Sequence, residues 1–369
     1  MPAKANPPAN PAGKTYDIER ILSEKKSMID SIIEKYIPRK YSEQSLESTA
    51  GKARYAYDVD TATKAISELV WDFLDRGGKR WRPALFLLVA EAIGGEKAAE
   101  NVKEFVLIPE IVHNGSLLVD DIEDDSPMRR GKPAVHKIYG VDLAVNAGNA
   151  MYYLPLLAFI KNKDKFDPTV IRTAYEIYAQ EMIDIHFGQA FDIYWHKGKG
   201  NPTEQQYLQM CAYKTGTLAR LSAKLGALLA GGTSEQIEAC GKYAETIGVA
   251  FQIQDDILNL TGEEFAKGKG LGEDIHEGKR TLMVIHCLKH APADKAARLR
   301  EILAMHTNDE KLIDEAIAII KSTGSIEYAK EFGRKMVSGA WSDVDRVLPE
   351  SEAKHKLKAF ADYLIERKI

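Results

Sequence analysis

The chain has 369 residues, 45% hydrophobic and 28% charged, enough apolar material for a sizeable core in one large or two average domains. Its 50 basic residues against 54 acidic ones leave a net charge of −4, without the basic excess or stripe that marks a nucleic-acid binder. No run approaches the roughly 18 apolar residues that span a bilayer, and the three scattered cysteines, Cys211, Cys240 and Cys287, form neither a metal-type spacing nor a disulfide framework and read as buried thiols.

Residues 1–14, MPAKANPPANPAGK, lack an apolar core and an arginine. They read as a flexible tail, neither signal nor transit peptide, and the expected location is cytoplasmic. Apolar residues at three- and four-residue spacing predict a helix over 18–37. The polar stretch 38–54 reads as a loop, and a second helix is expected over about 61–76. Gly77–Gly78 stops it, and Pro83 stands early in the next one. Beyond that, long apolar-rich helices are interrupted at Gly94–Gly95, Ser126–Pro127, Gly131–Pro133, Asp167–Pro168, Gly198–Pro202, Gly231–Gly232 and Gly262. Asp167, Thr203 with Gln206, and Ser234 look like helix caps. No alternating strand pattern emerges. The expectation is one all-α domain over 15–369, with a central layer of buried helices.

Two acidic clusters extend strongly apolar helices: Asp120-Asp121-Ile122-Glu123-Asp124 and Asp255-Asp256-Ile257-Leu258-Asn259. A helix turns by about 100° per residue, so Asp120 and Asp124 share a face with Asp121 beside them. His113 and Gln252 lie upstream on the same faces. Like charges crowded on a half-buried helix repel, and a hard divalent cation relieves that repulsion. Mg2+ takes a few carboxylates together with phosphate oxygens, so the pair of clusters points to a metal–diphosphate site. Basic residues stand near each cluster: Lys79, Arg80 and Arg82, then Arg129, Arg130 and Lys132, then Lys214 with Thr215, then Lys267, Lys269 and Lys279. Arginine forks and lysine point charges both suit phosphate.

The motifs GGKRWRP (77–83), EIVHNGSLLVDDIEDDSPMRRG (110–131), GQAFD (188–192), KTGTL (214–218), GVAFQIQDDILN (248–259) and GKGLGEDIHEGKRT (268–281) resemble, in order, those of the trans-isoprenyl diphosphate synthases. The resemblance implies the isoprenoid-synthase helical bundle with a central cavity, usually as a homodimer. It implies head-to-tail condensation of isopentenyl diphosphate with an allylic diphosphate (dimethylallyl, geranyl or farnesyl). Asp120, Asp124 and Asp255 then resemble the main magnesium ligands, supported by Asp121 and Asp256. Lys79, Arg82, His113 and Arg130 resemble the isopentenyl diphosphate binders. Arg129, Lys214, Thr215, Gln252, Asn259, Lys269 and Lys279 resemble the allylic binders, with Lys214 stabilising the departing diphosphate and the carbonyl dipoles of Thr215 and Gln252 facing the carbocation. Asn259 departs from the Asp of many relatives and keeps an oxygen donor without its charge.

Short-chain relatives often place bulky aromatics four or five residues before the first Asp, where this chain has Ser116 and Gly115. The segment is more similar to eukaryotic-type geranylgeranyl diphosphate synthases, with Tyr152, Tyr153 and His186 as a deeper pocket floor. That implies a C20 product, with farnesyl and longer chains as alternatives. A terpene cyclase would not need the isopentenyl-binding set, and a non-catalytic regulatory subunit would have lost one acidic cluster.

Overall fold

A computed structural model describes residues 16–262 and 272–366. The tail expected over 1–14, and the candidates Lys267 and Lys269, lie outside the described residues. Among those described, the regular structure is helical apart from one antiparallel hairpin in which Arg129 pairs with Lys132 and Met128 with Pro133.

Most helix limits follow local chemistry. Ile18–Tyr36 opens on Asp17, whose side chain accepts from the Arg20 amide at 3.0 Å. Thr203 and Gln206 form the expected reciprocal cap of Glu204–Cys211. The helix Ser234–Thr261 is capped by Thr233 rather than Ser234: Thr233 Oγ1 accepts from the Gln236 amide at 3.3 Å, and Gln236 Oε1 accepts from the Thr233 amide at 3.0 Å. The expected interruption at Gly94–Gly95 falls at Gly95, whose non-helical backbone (φ 75°, ψ −179°) divides Trp81–Val102 into two helical segments across a kink. Within 38–54, read as loop, lies the helix Glu43–Ala50. It is held by a Ser42/Ser45 capping box and buries no residue, so it has no apolar face for periodicity to reveal.

The described chain forms two compact units. The first draws on the segments up to Glu176, Ser222–Ile237 and Pro349–Leu357. Its Trp81–Ala90 stretch is buried at every position, as expected of a helix that is apolar all round. Phe73, Phe86, Phe105 and Phe159 are fully buried beside it, each worth roughly 1.5–3 kcal/mol of burial. The helix Leu107–Glu123 packs along Val141–Tyr153. They cross so closely that a Cβ on Gly115 would lie 2.7 Å from Met151 Cβ, and one on Gly148 2.6 Å from Val119 Cγ2.

Residues 141–165 are the one described stretch long and apolar enough to cross a bilayer by composition. The stretch is not one continuous α-helix, because a 3-10 turn at Leu154–Leu156 containing Pro155 interrupts it.

The second unit draws on Ile177–Leu221, Glu238–Leu348 and the segment from Lys358. Its core gathers Tyr207, Cys211, Ile253, Ile257, Leu282, Leu299, Ile320 and Ile326. Cys211, Cys240 and Cys287 are all buried thiols.

Candidate active site

In the first unit the GGKRWRP loop turns through positive φ at Gly77 (110°), Gly78 (114°) and Arg80 (53°). The two glycines accept this conformation without the Cβ penalty. The turn brings the Gly77 carbonyl to two guanidiniums: it accepts from Arg80 Nη1 at 3.0 Å and from Arg130 Nη1 at 2.9 Å. Arg80 is buried and also reaches Asp30 (2.9 Å), Glu110 (3.0 Å) and the Leu74 carbonyl (3.1 Å). It is therefore an internal strut despite its place in a basic motif. Arg82 is buried with its guanidinium 4.2 Å from the Trp81 ring centre. Lys79 is exposed, 3.8 Å from Glu19.

The helix Leu107–Glu123 continues this network. Asn114 Nδ2 donates to the Glu110 carbonyl and to Glu110 Oε1, both at 2.7 Å, and Asn114 Oδ1 accepts from Arg130 Nη1 at 3.3 Å. Arg80, Glu110, Asn114 and Arg130 form one continuous relay. Beside it, burial and then the charges of Arg82, Arg130, Arg129 and Arg80 hold the His113 imidazole well below its usual range, so the ring stays neutral. The structure thus brings His113, Arg82, Arg129 and Arg130 together. Buried Asp121 accepts from Arg129 through Nε at 2.7 Å and through Nη2, while Asp120 lies 3.6 Å from the same guanidinium. Asp120 and Asp124 are half-buried, with Asp124 capping the helix C-terminus.

Ser116 donates to the His113 carbonyl at 2.8 Å. Tyr152 is half-buried, and its Cε1 would meet a Cβ on Gly115 at 3.5 Å. Burial, with the charges of Glu123 and Asp120, pushes its phenol far above the ordinary range. Tyr153 is 70% exposed.

In the second unit Lys214 and Thr215 sit on a π-helical turn, Ala212–Gly216, a local irregularity that often marks functional positions in helices. Lys214 Nζ pairs with Asp192 Oδ2 at 2.6 Å. Burial opposes the charge on Asp192, yet Lys214 and Lys279 hold its carboxyl below the usual range. A second relay runs from Thr215 to the aspartate motif. Thr215 Oγ1 donates to Gln252 Oε1 (2.8 Å), Gln252 Nε2 to Asp256 Oδ1 (2.8 Å), and Tyr207 OH to Asp256 Oδ2 (2.7 Å). Burial and the neighbouring Asp274 push the Asp256 carboxyl well above the usual carboxylate range, against the hydrogen bonds from Tyr207 and Gln252.

Lys279 keeps its proton there. Burial works against the charge, and Asp274, Glu277 and Asp192 overcome it. Asn259 is buried and accepts from the Asp274 amide at 3.2 Å, while its own carbonyl accepts from the Gly272 amide at 2.9 Å. Its side chain therefore fastens the chain entering Glu273–His276. Asp255 is half-buried. His186 is exposed, its Nδ1 2.6 Å from the Met182 carbonyl.

Sequence reasoning missed Glu110, Asn114, Tyr207 and Asp274, which hold the site residues in place. Asp192 lay inside the quoted GQAFD motif and had a signal. Glu110 and Asn114 lay inside the motif over 110–131 and Asp274 inside that over 268–281, so they had the same signal; Tyr207 lies outside every motif, and nothing in its spacing announces a partner.

The donor set suits a hard divalent cation, since both aspartate motifs offer only carboxylate and amide oxygens. Among the described residues no three His, Cys, Asp or Glu side chains form a cage of their own.

Residues 63–320 match the polyprenyl synthetase family. A short chain isoprenyl diphosphate synthase of Methanothermobacter thermautotrophicus is 36% identical over 332 residues, covering 90% of this chain and 98% of the relative. A geranylfarnesyl diphosphate synthase of Natronomonas pharaonis is 33% identical over 308 residues, covering 80% and 87%. The crystal structure of a geranylgeranyl pyrophosphate synthetase from Pyrococcus horikoshii matches with a TM-score of 0.82 at 31% identity, over 95% of this chain and all of that one. With a family match across most of its length and a helical fold carrying both aspartate motifs, this chain belongs to the polyprenyl synthetase family and is a prenyltransferase.

Proposed function

We propose that the chain extends dimethylallyl, geranyl and farnesyl diphosphate with isopentenyl diphosphate and stops at geranylgeranyl diphosphate. The observation that carries the reading is the relay of Arg80, Glu110, Asn114 and Arg130 around the Gly77 carbonyl, with Arg129 on Asp121 of the Asp120–Asp124 motif. Arg82, Arg130 and Lys79 offer charge to the diphosphate of isopentenyl diphosphate, and an uncharged His113 adds a hydrogen bond without adding repulsion among the guanidiniums. Arg129, Lys214 and Lys279 serve the allylic diphosphate, and Thr215 and Gln252 turn dipoles toward the carbon from which it departs.

Magnesium fits as the cofactor: Asp120 and Asp124, with Asp121 in support, would offer ligands in the first unit and Asp255, with Asp256 in support, in the second, and when bound it would neutralise charge on the leaving diphosphate. The C20 product rests on a deeper pocket floor assigned to Tyr152, Tyr153 and His186, in place of the aromatics that short-chain relatives carry where this chain has Gly115 and Ser116. It also agrees with the product named for the Pyrococcus horikoshii synthetase. The relative that makes geranylfarnesyl diphosphate favours C25 as the second reading.

A homodimer and a cytoplasmic location belong to the same proposal. Val141 (54%), Tyr153 (70%) and Ile160 (55%) are exposed apolar side chains in the first unit, and Ile183, Phe187 and Tyr194 are exposed in the second. Apolar surface of this kind suits an interface with a second copy. The deciding experiment is incubation with labelled isopentenyl diphosphate and each primer, with and without Mg2+, followed by sizing of the dephosphorylated products. Metal-dependent C20 is expected; no incorporation from any primer would refute the reading.

A further inference from the structure

The two-stranded hairpin Met128–Arg129 with Lys132–Pro133 carries both Arg129 and Arg130. A hairpin this short has no core of its own and is at best marginal in water. Something else must fix its backbone, because an error of 1 Å in a substrate-holding group can cost on the order of 10²-fold in rate.

Arg76 meets that need. Its side chain is fully buried. Nη1 donates to the Pro133 carbonyl at 2.8 Å and to the Arg129 carbonyl at 3.4 Å, so a single nitrogen ties one carbonyl from each strand. Nε donates to the Asp72 carbonyl at 3.2 Å, and Nη2 pairs with the Asp72 carboxylate. Asp72 also lies 3.8 Å from Lys132 Nζ, on the second strand. All three guanidinium nitrogens are thus spent on the hairpin and on the helix Glu68–Asp75. None of these bonds goes to a group that would meet a substrate. Arg130 then reaches from the fixed strand to the Gly77 carbonyl and to Asn114.

We infer that Arg76, oriented by Asp72, is a positioning residue that sets the register of the hairpin, and through Arg130, which reaches from it to Gly77 and Asn114, the isopentenyl diphosphate site more than the allylic one that Arg129 shares with Lys214 and Lys279. This rests on the proposed function above. Only the planar fork reaches both strands and Asp72 together; a lysine keeps the charge at one point and loses that geometry.

The test compares wild type with Arg76→Lys and Asp72→Asn, measuring kcat, the KM for each substrate, thermal midpoint and hydrogen exchange at residues 129–134. In Arg76→Lys the KM for isopentenyl diphosphate is expected to rise about tenfold while kcat stays within about twofold. Exchange across the hairpin should quicken, and Tm should fall by no more than about 5 °C. Asp72→Asn should move the same quantities less far. An unchanged KM with unchanged exchange would overturn the inference, and so would an even loss in kcat and both KM values that follows a large fall in Tm. A wild type that incorporates no isopentenyl diphosphate would sink the functional reading instead, and the exchange measurement would still decide whether Arg76 orders the hairpin.

Discussion

The two site regions handle charge in different ways. In the first unit, guanidiniums do the organising: Arg76 and Arg80 hold backbone carbonyls, Arg130 joins Gly77 to Asn114, and Arg129 grips Asp121. Much of their bonding is directed by plane and fork, and the elements concerned are a left-handed turn and a minimal hairpin. In the second unit the cations set among Asp192, Asp274 and Glu277 are ammoniums, Lys214 and Lys279, on helices and a π-turn, while the guanidinium of Arg220 is spent on Glu181, Asp184 and Glu245. There the balance of charge matters more than the direction of bonds. Forked donors fix an anion in one pose, whereas point charges tolerate an anion that shifts as its bond breaks. On the proposed reading, Arg82 and Arg130 would serve the diphosphate that stays attached, and Lys214 and Lys279, with Arg129, the one that departs.

The largest expected effect falls on what both regions share. Asp120→Ala and Asp255→Ala should each lower turnover by about 10³-fold or more while the helical circular dichroism persists. Near-normal activity in either variant would remove the metal assignment.

An exchange of cations tests the contrast itself. Arg130→Lys should raise the KM for isopentenyl diphosphate by about ten- to a hundredfold, because its bonds to Gly77 and Asn114 depend on the fork. Lys214→Arg retains the charge beside Asp192 and should cost less than about tenfold in kcat. Equal penalties, read from steady-state kinetics, would erase the distinction drawn between the regions.

Tyr207→Phe removes one donor from Asp256 without changing the shape of the core. Its kcat should fall about tenfold with KM values unchanged and roughly 1 kcal/mol of stability lost in urea titration. A kcat equal to wild type would mean that the relay through Gln252 to Thr215 does not depend on Tyr207. The smallest change in rate but the clearest in product belongs to Tyr152→Ala with His186→Ala, which should yield chains longer than wild type. An unaltered product distribution on radio-chromatography would rule out this floor.

What the sequence announced and what it hid follow a physical divide. Helices with an apolar face repeat at a period that composition reveals, and the capping box at Thr203 and Gln206 is local by nature. The helix Glu43–Ala50 buries nothing and therefore left no pattern. The hairpin at Met128–Pro133 is too short to alternate. The aspartates and arginines stood out because charge on an apolar helix is costly and rare. Glu110, Asn114, Arg76 and Tyr207 act through partners 4 to 57 positions away, often through main-chain carbonyls. A carbonyl exists at every residue, so a side chain that binds one gives no sign of which.

The crossing of Leu107–Glu123 with Val141–Tyr153 limits how this fold can be retuned. At Gly115 the neighbouring helix already occupies the place of a side chain. An aromatic introduced there would have to wedge the two helices apart and tilt the aspartates at the far end of the same rod. Tyr152 stands at the same contact, its Cε1 3.5 Å from where a Gly115 side chain would begin. On the proposed reading, pocket depth and the placing of the aspartates are therefore set by neighbouring turns of one helix pair.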